Sequence, residues 1–447
     1  MLLKFPSLLS ACFFTFFLFC NIADAQIPAK RFIPPAGSLK AAVVVPVTDS
    51  SKTDSMLVQL LQQYPQYFNT VLKNTQQWNV QFIYTQIDKG VNGIPALKNY
   101  FFNVNPAQYF YPASTVKLPI CLLALQRLNE LKQQGIDRNT TMITEANEDG
   151  QTVVYNDPTT PDGRPSIAQY IKKILLVSDN DAFNRLYEFL GRKYINEQLH
   201  QKGYGDVQIL HRLSIPLSLQ QNRATNPINF FGPDKKIIYR QPMRYDSSIY
   251  EQRNDSIGEG YYKGDSLIKM PMNFSEKNRI SLQDLHNILL SLVFPEKVMA
   301  SQRFNITEDD KNFILKYMSE LPTESHYPPY AADTANYWPA YCKFLLFGSE
   351  KGALPKNIRV FNKVGDAYGQ LTDVAYIVDF DKKIEFFLSA IIYCNNDGIL
   401  NDDKYDYDNI GLPFMKHLGE VLYEYELKRT KKNVPDLSPL LFNYDGR

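Results

Sequence analysis

Ser114 and Lys117 stand three residues apart in the chain. At that spacing both side chains lie on one face of a helix. A serine hydroxyl attacks a carbonyl when a neighbouring base takes its proton, and a lysine is such a base only while it is neutral. Burial and a second cation both lower a lysine pKa, and Lys363 is a candidate for that cation. The pair therefore predicts a nucleophile, Ser114, and its base, Lys117; a helix-capping serine followed by an exposed lysine is the structural alternative.

A second segment, Ser-Asp-Asn at residues 178–180, lies at a break between two helical patterns. Ser178 is suited to pass a proton to a leaving nitrogen. Asn180 is suited to hold both a substrate amide and Lys117, while Asp179 would brace the turn. All three residue types are also frequent in ordinary turns, so this segment is informative only together with the others.

A third segment, Lys363-Val364-Gly365, is predicted to end a strand just before a turn. The Lys363 ammonium would attract a substrate carboxylate, and Gly365 would let a substrate backbone approach. The backbone amides of Ser114 and Asp366 would form an oxyanion hole, which stabilises the negative oxygen that develops during acyl transfer. A lysine and a glycine are common at hairpins, so this segment too gains its meaning from the other two.

The apolar pattern predicts the elements that position these residues. Helical spacing predicts helices over residues 53–74, 114–134, 167–177, 181–190, 282–294, 308–320 and 411–428. Alternation predicts a hairpin over residues 78–87 and 96–104, and a meander over residues 358–363, 371–380 and 384–394. Ser114 would thus open one helix, and Ser178 would follow the end of another.

Strands near both ends of the chain, with helices between them, predict an α+β fold. We expect an antiparallel sheet with flanking helices, built from both termini, plus an inserted all-α lobe. The catalytic domain would span residues 51–430, with residues 51–110 and 351–430 as its α/β part. Residues 111–350 would form the helical lobe, and residues 218–275, rich in Gly, Pro, Asn, Asp and Tyr, an insertion with hairpins.

Residues 1–25 have the pattern of a secretory signal peptide. Lys4 precedes an apolar run from Leu8 to Cys20, and small residues follow at the cleavage position. We therefore expect the mature chain to begin at Gln26 and to be periplasmic or secreted. No later run is apolar and long enough to predict a membrane span.

Composition excludes several other classes of protein. The formal net charge is +1 with scattered Lys and Arg, so nucleic acid is not an expected partner. The five histidines lack the clustered spacing of a metal site, and no motif calls for a cofactor. After the leader only Cys121, Cys342 and Cys394 remain, so one disulfide at most is expected. Residues 26–50 are predicted to be an extended arm and residues 431–447 a tail.

Together the three segments resemble the S-x-x-K, S-D-N and K-T-G motifs of class A β-lactamases and of the wider group of penicillin-recognising serine hydrolases. Their order agrees, as do the apolar helices near Ser114 and Ser178 and the meander and terminal helix after Lys363. The resemblance covers most of residues 50–430. It implies an α/β part and an all-α lobe with the active site in the cleft between them. It also implies acyl transfer through a covalent acyl-serine, the chemistry by which such hydrolases confer antibiotic resistance.

The chain departs from that family at two positions. The family's deacylating glutamate lies in an Arg-x-Glu pattern after S-D-N, and the best match here is Arg212-Leu-Ser214. Ser214 would then replace the base that activates water, so Lys117 would serve in acylation and deacylation is expected to be slow, with His211 as an alternative base. Val364 replaces a serine or threonine whose hydroxyl binds the substrate carboxylate, which weakens penicillin recognition.

The leading hypothesis is a secreted, monomeric serine hydrolase that cleaves β-lactam-like amides through an acyl-Ser114 intermediate. One alternative is a peptidase resembling penicillin-binding proteins, which would act on peptidoglycan-derived substrates. Another is a catalytically quiet binding protein that keeps the β-lactamase fold. A penicillin label separates them, because a fast hydrolase loses the label, a peptidase retains it and a binding protein never acquires it.

Overall fold

The computed structural model describes residues 52–90 and 94–444, so the predicted signal peptide and N-terminal arm lie outside the described residues. The helices are α1 (Ser55–Gln62), α2 (Pro65–Leu72), α3 (Lys117–Leu131), α4 (Ile167–Val177), α5 (Asn180–Leu190), α6 (Arg192–Gln201), α7 (Leu219–Arg223), α8 (Leu282–Val293), α9 (Glu308–Ser319) and α10 (Leu412–Lys428). The strands are β1 (Gln81–Lys89), β2 (Pro95–Phe102), β3 (Thr141–Thr144), β4 (Ile228–Phe231), β5 (Ile237–Gln241), β6 (Ser256–Ile257), β7 (Gly260–Lys263), β8 (Ser266–Ile268), β9 (Met272–Asn273), β10 (Ile358–Ala367), β11 (Gln370–Asp379), β12 (Ile384–Tyr393) and β13 (Ile399–Leu400).

A five-stranded antiparallel sheet lies at the centre of the fold, with its strands in the order β10-β11-β12-β1-β2. The N-terminal hairpin joins the C-terminal meander where β1 pairs with β12, and Gln81 lies opposite Ile391 there. β11 and β12 are buried along almost their whole length, because other elements cover both faces of the sheet. The predicted α+β fold, with a sheet built from both ends of the chain, is confirmed.

The sheet separates two apolar cores. Successive residues of a strand point to opposite faces, so Phe386 packs in the core with α1, α2 and α10, whereas Phe387 packs in the core with α3, α4, α5 and α8. Burial of one such side chain contributes about 1.5–3 kcal/mol. β10 is an edge strand of this sheet, and its free edge is therefore available to the turn that precedes α3.

The predicted helix over residues 53–74 is two helices, α1 and α2. Pro65 is the first residue of α2; it lacks an amide hydrogen and clashes with the preceding turn, so it starts a helix but does not continue one. α6 was not predicted, because charged and polar residues dominate its sequence. The other predicted helices and strands lie within a few residues of the predicted positions.

Residues 111–350 contain helices α3 to α9 but also strands β3 to β9, so the inserted lobe is not all-α as predicted. β3, β4 and β5 form a three-stranded antiparallel sheet, and residues 218–275 also contribute β6 to β9. β7 and β8 form a hairpin, and β7 pairs in parallel with β13 near the C-terminus. Strands of two to four residues are too short to give a readable alternation, so the sequence did not reveal them outside the expected insertion.

Candidate active site

Ser114 lies in a single helical turn, Ala113–Val116, that runs directly into α3. Ala113 has a φ of 45°, and the Thr115 hydroxyl donates to the carbonyl oxygen of Pro112 at 2.6 Å, which fixes the start of the turn. Ser114 is half-buried, whereas Lys117, the first residue of α3, is buried with 0% of its surface exposed. The serine therefore stands near the positive end of the helix dipole, on the side that faces solvent.

The Lys117 ammonium is held at the break between α4 and α5. It donates to the Ser178 carbonyl oxygen, to Ser178 Oγ at 3.3 Å and to Asn180 Oδ1 at 2.6 Å. Ser178 has a φ of 60° and ends α4 in the left-handed conformation. Asp179 caps α5, because its carboxylate accepts the Ala182 amide at 2.8 Å. The tight turn thus presents three oxygens to one buried amine.

Lys363 approaches the same serine from the sheet. Its Nζ donates to Ser178 Oγ at 2.8 Å and to the Val364 carbonyl oxygen at 2.9 Å, so the Ser178 hydroxyl lies between two amines. Burial, together with the charge of Lys363, holds the pKa of Lys117 well below its usual range. Burial also lowers the pKa of Lys363. Lys363, the residue predicted to be the second cation, therefore lies beside Lys117.

Gly365 is the point where β10 touches the nucleophile's turn. A Cβ atom at this position would lie 2.7 Å from the Pro112 carbonyl oxygen and 2.9 Å from the amide nitrogens of Ser114 and Thr115. Only glycine permits this approach. β10 continues to Ala367, so the Lys-Val-Gly segment lies inside the strand and not at its end as predicted.

The structure thus brings the predicted site residues together from three elements. Ser114 and Lys117 come from the start of α3, Ser178 and Asn180 from the α4–α5 break, and Lys363, Gly365 and Asp366 from β10. Asp366 follows directly after Gly365, and its side chain is exposed. The Lys117, Ser178, Asn180 and Lys363 side chains meet through hydrogen bonds, and Gly365 contacts the turn of Ser114 beside them.

Arg212 anchors the loop that carries Ser214 through hydrogen bonds to the rest of the fold. The buried guanidinium donates to Glu188 Oε1 at 3.0 Å and to the Ala224 carbonyl oxygen at 2.8 Å. Ser214 is exposed with a φ of 54°, and its Oγ accepts from Asn180 Nδ2 at 2.8 Å. Ser214 therefore adjoins the site through Asn180, and it contributes a hydroxyl, which is too weak a base to deprotonate water.

His211 has both ring nitrogens engaged with the backbone. Nδ1 lies 2.6 Å from the Arg212 carbonyl oxygen and donates to it, and Nε2 accepts from the Asn278 amide at 3.2 Å. The ring lies parallel to Tyr111 at 6.3 Å. Burial lowers the pKa of His211 to about 4, so the neutral ring has no free lone pair for a water. The alternative assignment of His211 as base is not supported by this geometry.

An aromatic cluster that sequence reasoning missed flanks the site. Tyr368 makes edge contacts with Tyr111 and Phe274, each with ring centroids 5.2 Å apart. Tyr111 precedes Ser114 by three residues, and Tyr368 follows Gly365 by three. These spacings alone do not indicate that the two rings are in contact. The cluster ties the nucleophile's turn to the turn after β10.

The sequence also led to expectations about disulfides, metal sites and membrane spans. Cys121, Cys342 and Cys394 are all buried and unpaired. Within residues 52–90 and 94–444, no group of three His, Cys, Asp or Glu side chains is arranged to hold a metal ion. Across the same residues, no helix combines the length and apolarity that a bilayer crossing demands.

Comparison with known proteins identifies the family. The model of the Beta-lactamase enzyme family matches residues 64–425, and the chain belongs to that family. A search of curated proteins gave no match.

Solved structures similar to this chain include several β-lactamases. The class A β-lactamase of Clostridium kluyveri is 16% identical, with a TM-score of 0.43 over 80% of this chain and 98% of that chain. A β-lactamase of Xanthomonas campestris is 14% identical, with a TM-score of 0.43 over 83% and 99%. A β-lactamase of Sphaerobacter thermophilus is 13% identical, with a TM-score of 0.42 over 79% and 94%.

The close approach at Gly365 makes a testable prediction. Gly365→Ala forces β10 away from the turn of Ser114, and we expect a loss of about 1–3 kcal/mol in the free energy of unfolding, as for other overpacked sites. Gly352→Ala is the matched control, because nothing lies within 4 Å of a Cβ there. Urea unfolding measures both variants, and equal stabilities would contradict the described contact.

Proposed function

We propose that the chain is a serine hydrolase of the class A β-lactamase type, acylated at Ser114 with Lys117 as the base. The observation that carries this proposal is the buried Lys117 amine on the helix face below Ser114, beside the cation of Lys363. An amine in that environment is neutral at a lower pH than an ordinary lysine. It is therefore able to accept the hydroxyl proton when Ser114 attacks a carbonyl.

The proton then has a short route to the leaving group. Ser178 Oγ is within hydrogen-bonding distance of both Lys117 and Lys363, and we assign it the transfer of the proton to the leaving nitrogen. Asn180 would hold the substrate amide, and Lys363 would attract a substrate carboxylate.

Backbone donors would stabilise the tetrahedral intermediate. The amides of Ser114 and Asp366 are the proposed oxyanion hole, and the contact of Gly365 with the Ser114 turn supports it by bringing β10 alongside the nucleophile. Removal of one donor of such a hole typically costs about 10²–10³-fold in rate.

Deacylation is the step for which this site is poorly equipped. Ser214, Asn180 and the neighbouring Asn184 offer a hydroxyl and two amides around the loop, none of which deprotonates water. A long-lived acyl-enzyme is the expected result. This feature equally favours the second candidate, a peptidase resembling penicillin-binding proteins, while a quiet binding protein would leave the Lys117–Ser178–Lys363 cluster without a role.

The setting of the reaction follows from the sequence. Residues 1–25 would direct export, so the enzyme would work in the periplasm or outside the cell, as a monomer and without a cofactor. Its substrates would be small β-lactams or peptidoglycan-derived amides. The net charge of +1 gives no reason to expect nucleic acid as a partner.

Covalent labelling tests the proposed nucleophile. Brief exposure of the mature protein to a penicillin should add the mass of one penicillin, seen by intact mass spectrometry. Ser114→Ala should abolish the adduct, and Lys117→Ala should slow its formation by about 10²–10⁴-fold, the usual contribution of a general base. Ser301→Ala, at an exposed serine, should label like the wild type. An adduct on Ser114→Ala would refute the assignment.

Restoring a carboxylate tests the account of deacylation. Ser214→Glu should speed loss of the penicillin adduct, by up to about 10²–10⁴-fold if water becomes well aligned. Ser214→Gln, of the same length without the charge, is the control and should not speed it. Rapid turnover of penicillin by the wild type would show that another group activates the water.

A further inference from the structure

Part of the backbone of β2, the edge strand at the far side of the sheet from β10, is unpaired. The Phe101 amide donates to the Asp54 carboxylate at 2.7 Å, and the Phe101 carbonyl oxygen accepts from the Asp54 amide at 2.7 Å, so the peptide groups of Phe101 face away from β1. Every second residue of a strand faces the same side, which places the peptide groups of Leu97 and Asn99 on this outer edge as well. Within residues 52–90 and 94–444 no group pairs with them. Such an edge is a template for another extended chain.

A cavity of about 300 Å³ lies beside this free edge. Leu97 and Asn99 line it from β2, Leu290 lines it from α8, and residues 297–302, which follow α8, line it from the other side. Residues directly opposite each other on neighbouring strands share a face of the sheet. A strand added beside Asn99 would therefore direct one of its side chains into the cavity.

The polar groups that line the cavity are mainly hydrogen-bond donors. Asn99 Oδ1 already accepts from Thr85 Oγ1 at 2.7 Å, and Gln302 Oε1 accepts from the Met299 amide at 3.2 Å, so the NH₂ groups of both amides remain for a ligand. Lys297 is half-buried and makes no ion pair with the described residues. No aspartate or glutamate lines the cavity. Donors and one unpaired cation complement a carboxylate.

From the free edge and the charge of the cavity we propose that β2 binds an extended peptide, which adds a strand at Leu97 and Asn99 and places an acidic side chain beside Lys297. In this mode the main-chain hydrogen bonds supply affinity, and the pocket for one side chain supplies specificity. β2 and β10 are opposite edges of the sheet, so this peptide site is separate from Ser114 and does not depend on the proposed acyl transfer.

A fluorescent peptide of sequence Thr-Val-Thr-Glu-Thr-Val-Thr, blocked at both ends, is the probe, and the same peptide with Gln in place of Glu is its matched control. Titration of the mature protein is followed by fluorescence anisotropy. The Glu peptide should bind about tenfold more tightly, the size expected for one charge-assisted hydrogen bond. Lys297→Gln should remove this preference, whereas Lys269→Gln, at an exposed lysine outside the cavity, should keep it.

Two further measurements test the addition of a strand. N-methylation of alternate residues of the Glu peptide, in two complementary sets, removes the amide hydrogens on one side of the added strand at a time. One set should abolish binding and the other should be tolerated. Amide hydrogen exchange at Leu97 and Asn99 should be fast in the free protein and slow with the peptide bound. Ser114→Ala should bind the peptide like the wild type, because the two sites are separate.

Four results would overturn the proposal. Neither peptide binds saturably, or the wild type binds the Glu and Gln peptides equally. The two sets of N-methylated peptides bind alike, which would exclude pairing with the edge of β2. The Leu97 and Asn99 amides are already protected from exchange in the free protein, which would show that another part of this chain or a second copy of it covers the edge.

Discussion

The burial of the Lys117 amine against Ser178 is the interaction on which the rest of the site depends. Desolvation of an ammonium is costly, and the protein offsets that cost with oxygens from Ser178 and Asn180. The same burial lowers the pKa of Lys117 and so favours the neutral amine, which a general base must be. The left-handed turn at Ser178 and the cap at Asp179 are the backbone features that hold those oxygens in place.

The sheet brings the second amine to this position. β1 from the N-terminal part pairs with β12 from the C-terminal part, and this closure leaves β10 at the edge. Gly365 then allows that edge to pack on the turn of Ser114, and Lys363 reaches Ser178 from the other side. The position of the Ser178 hydroxyl between Lys117 and Lys363 thus depends on the topology of the whole sheet, although each of the three residues belongs to a short local motif.

Much of this arrangement could be predicted from the sequence, because the apolar patterns of α4, α5 and the meander are strong and local. The prediction that Ser114 and Lys117 share one face required only that this segment be helical. What could not be predicted depends on contacts between distant residues. β3 is recognisable as a strand only beside β4, and the hydrogen bond that occupies His211 Nε2 comes from Asn278, 67 residues away in the chain. The Arg212–Glu188 pair likewise joins a loop to a buried helix position that the sequence alone does not connect.

The central claim is that a neutral Lys117 acts as the base, and the pH dependence of Ser114 acylation measures it most directly. The rate follows the neutral fraction of the base, so it rises with pH and levels off above the pKa of that group. A pKa lowered by burial predicts a plateau that begins well below the ordinary lysine value of about 10.4. A rate that still rises tenfold per pH unit through pH 10 would contradict the account.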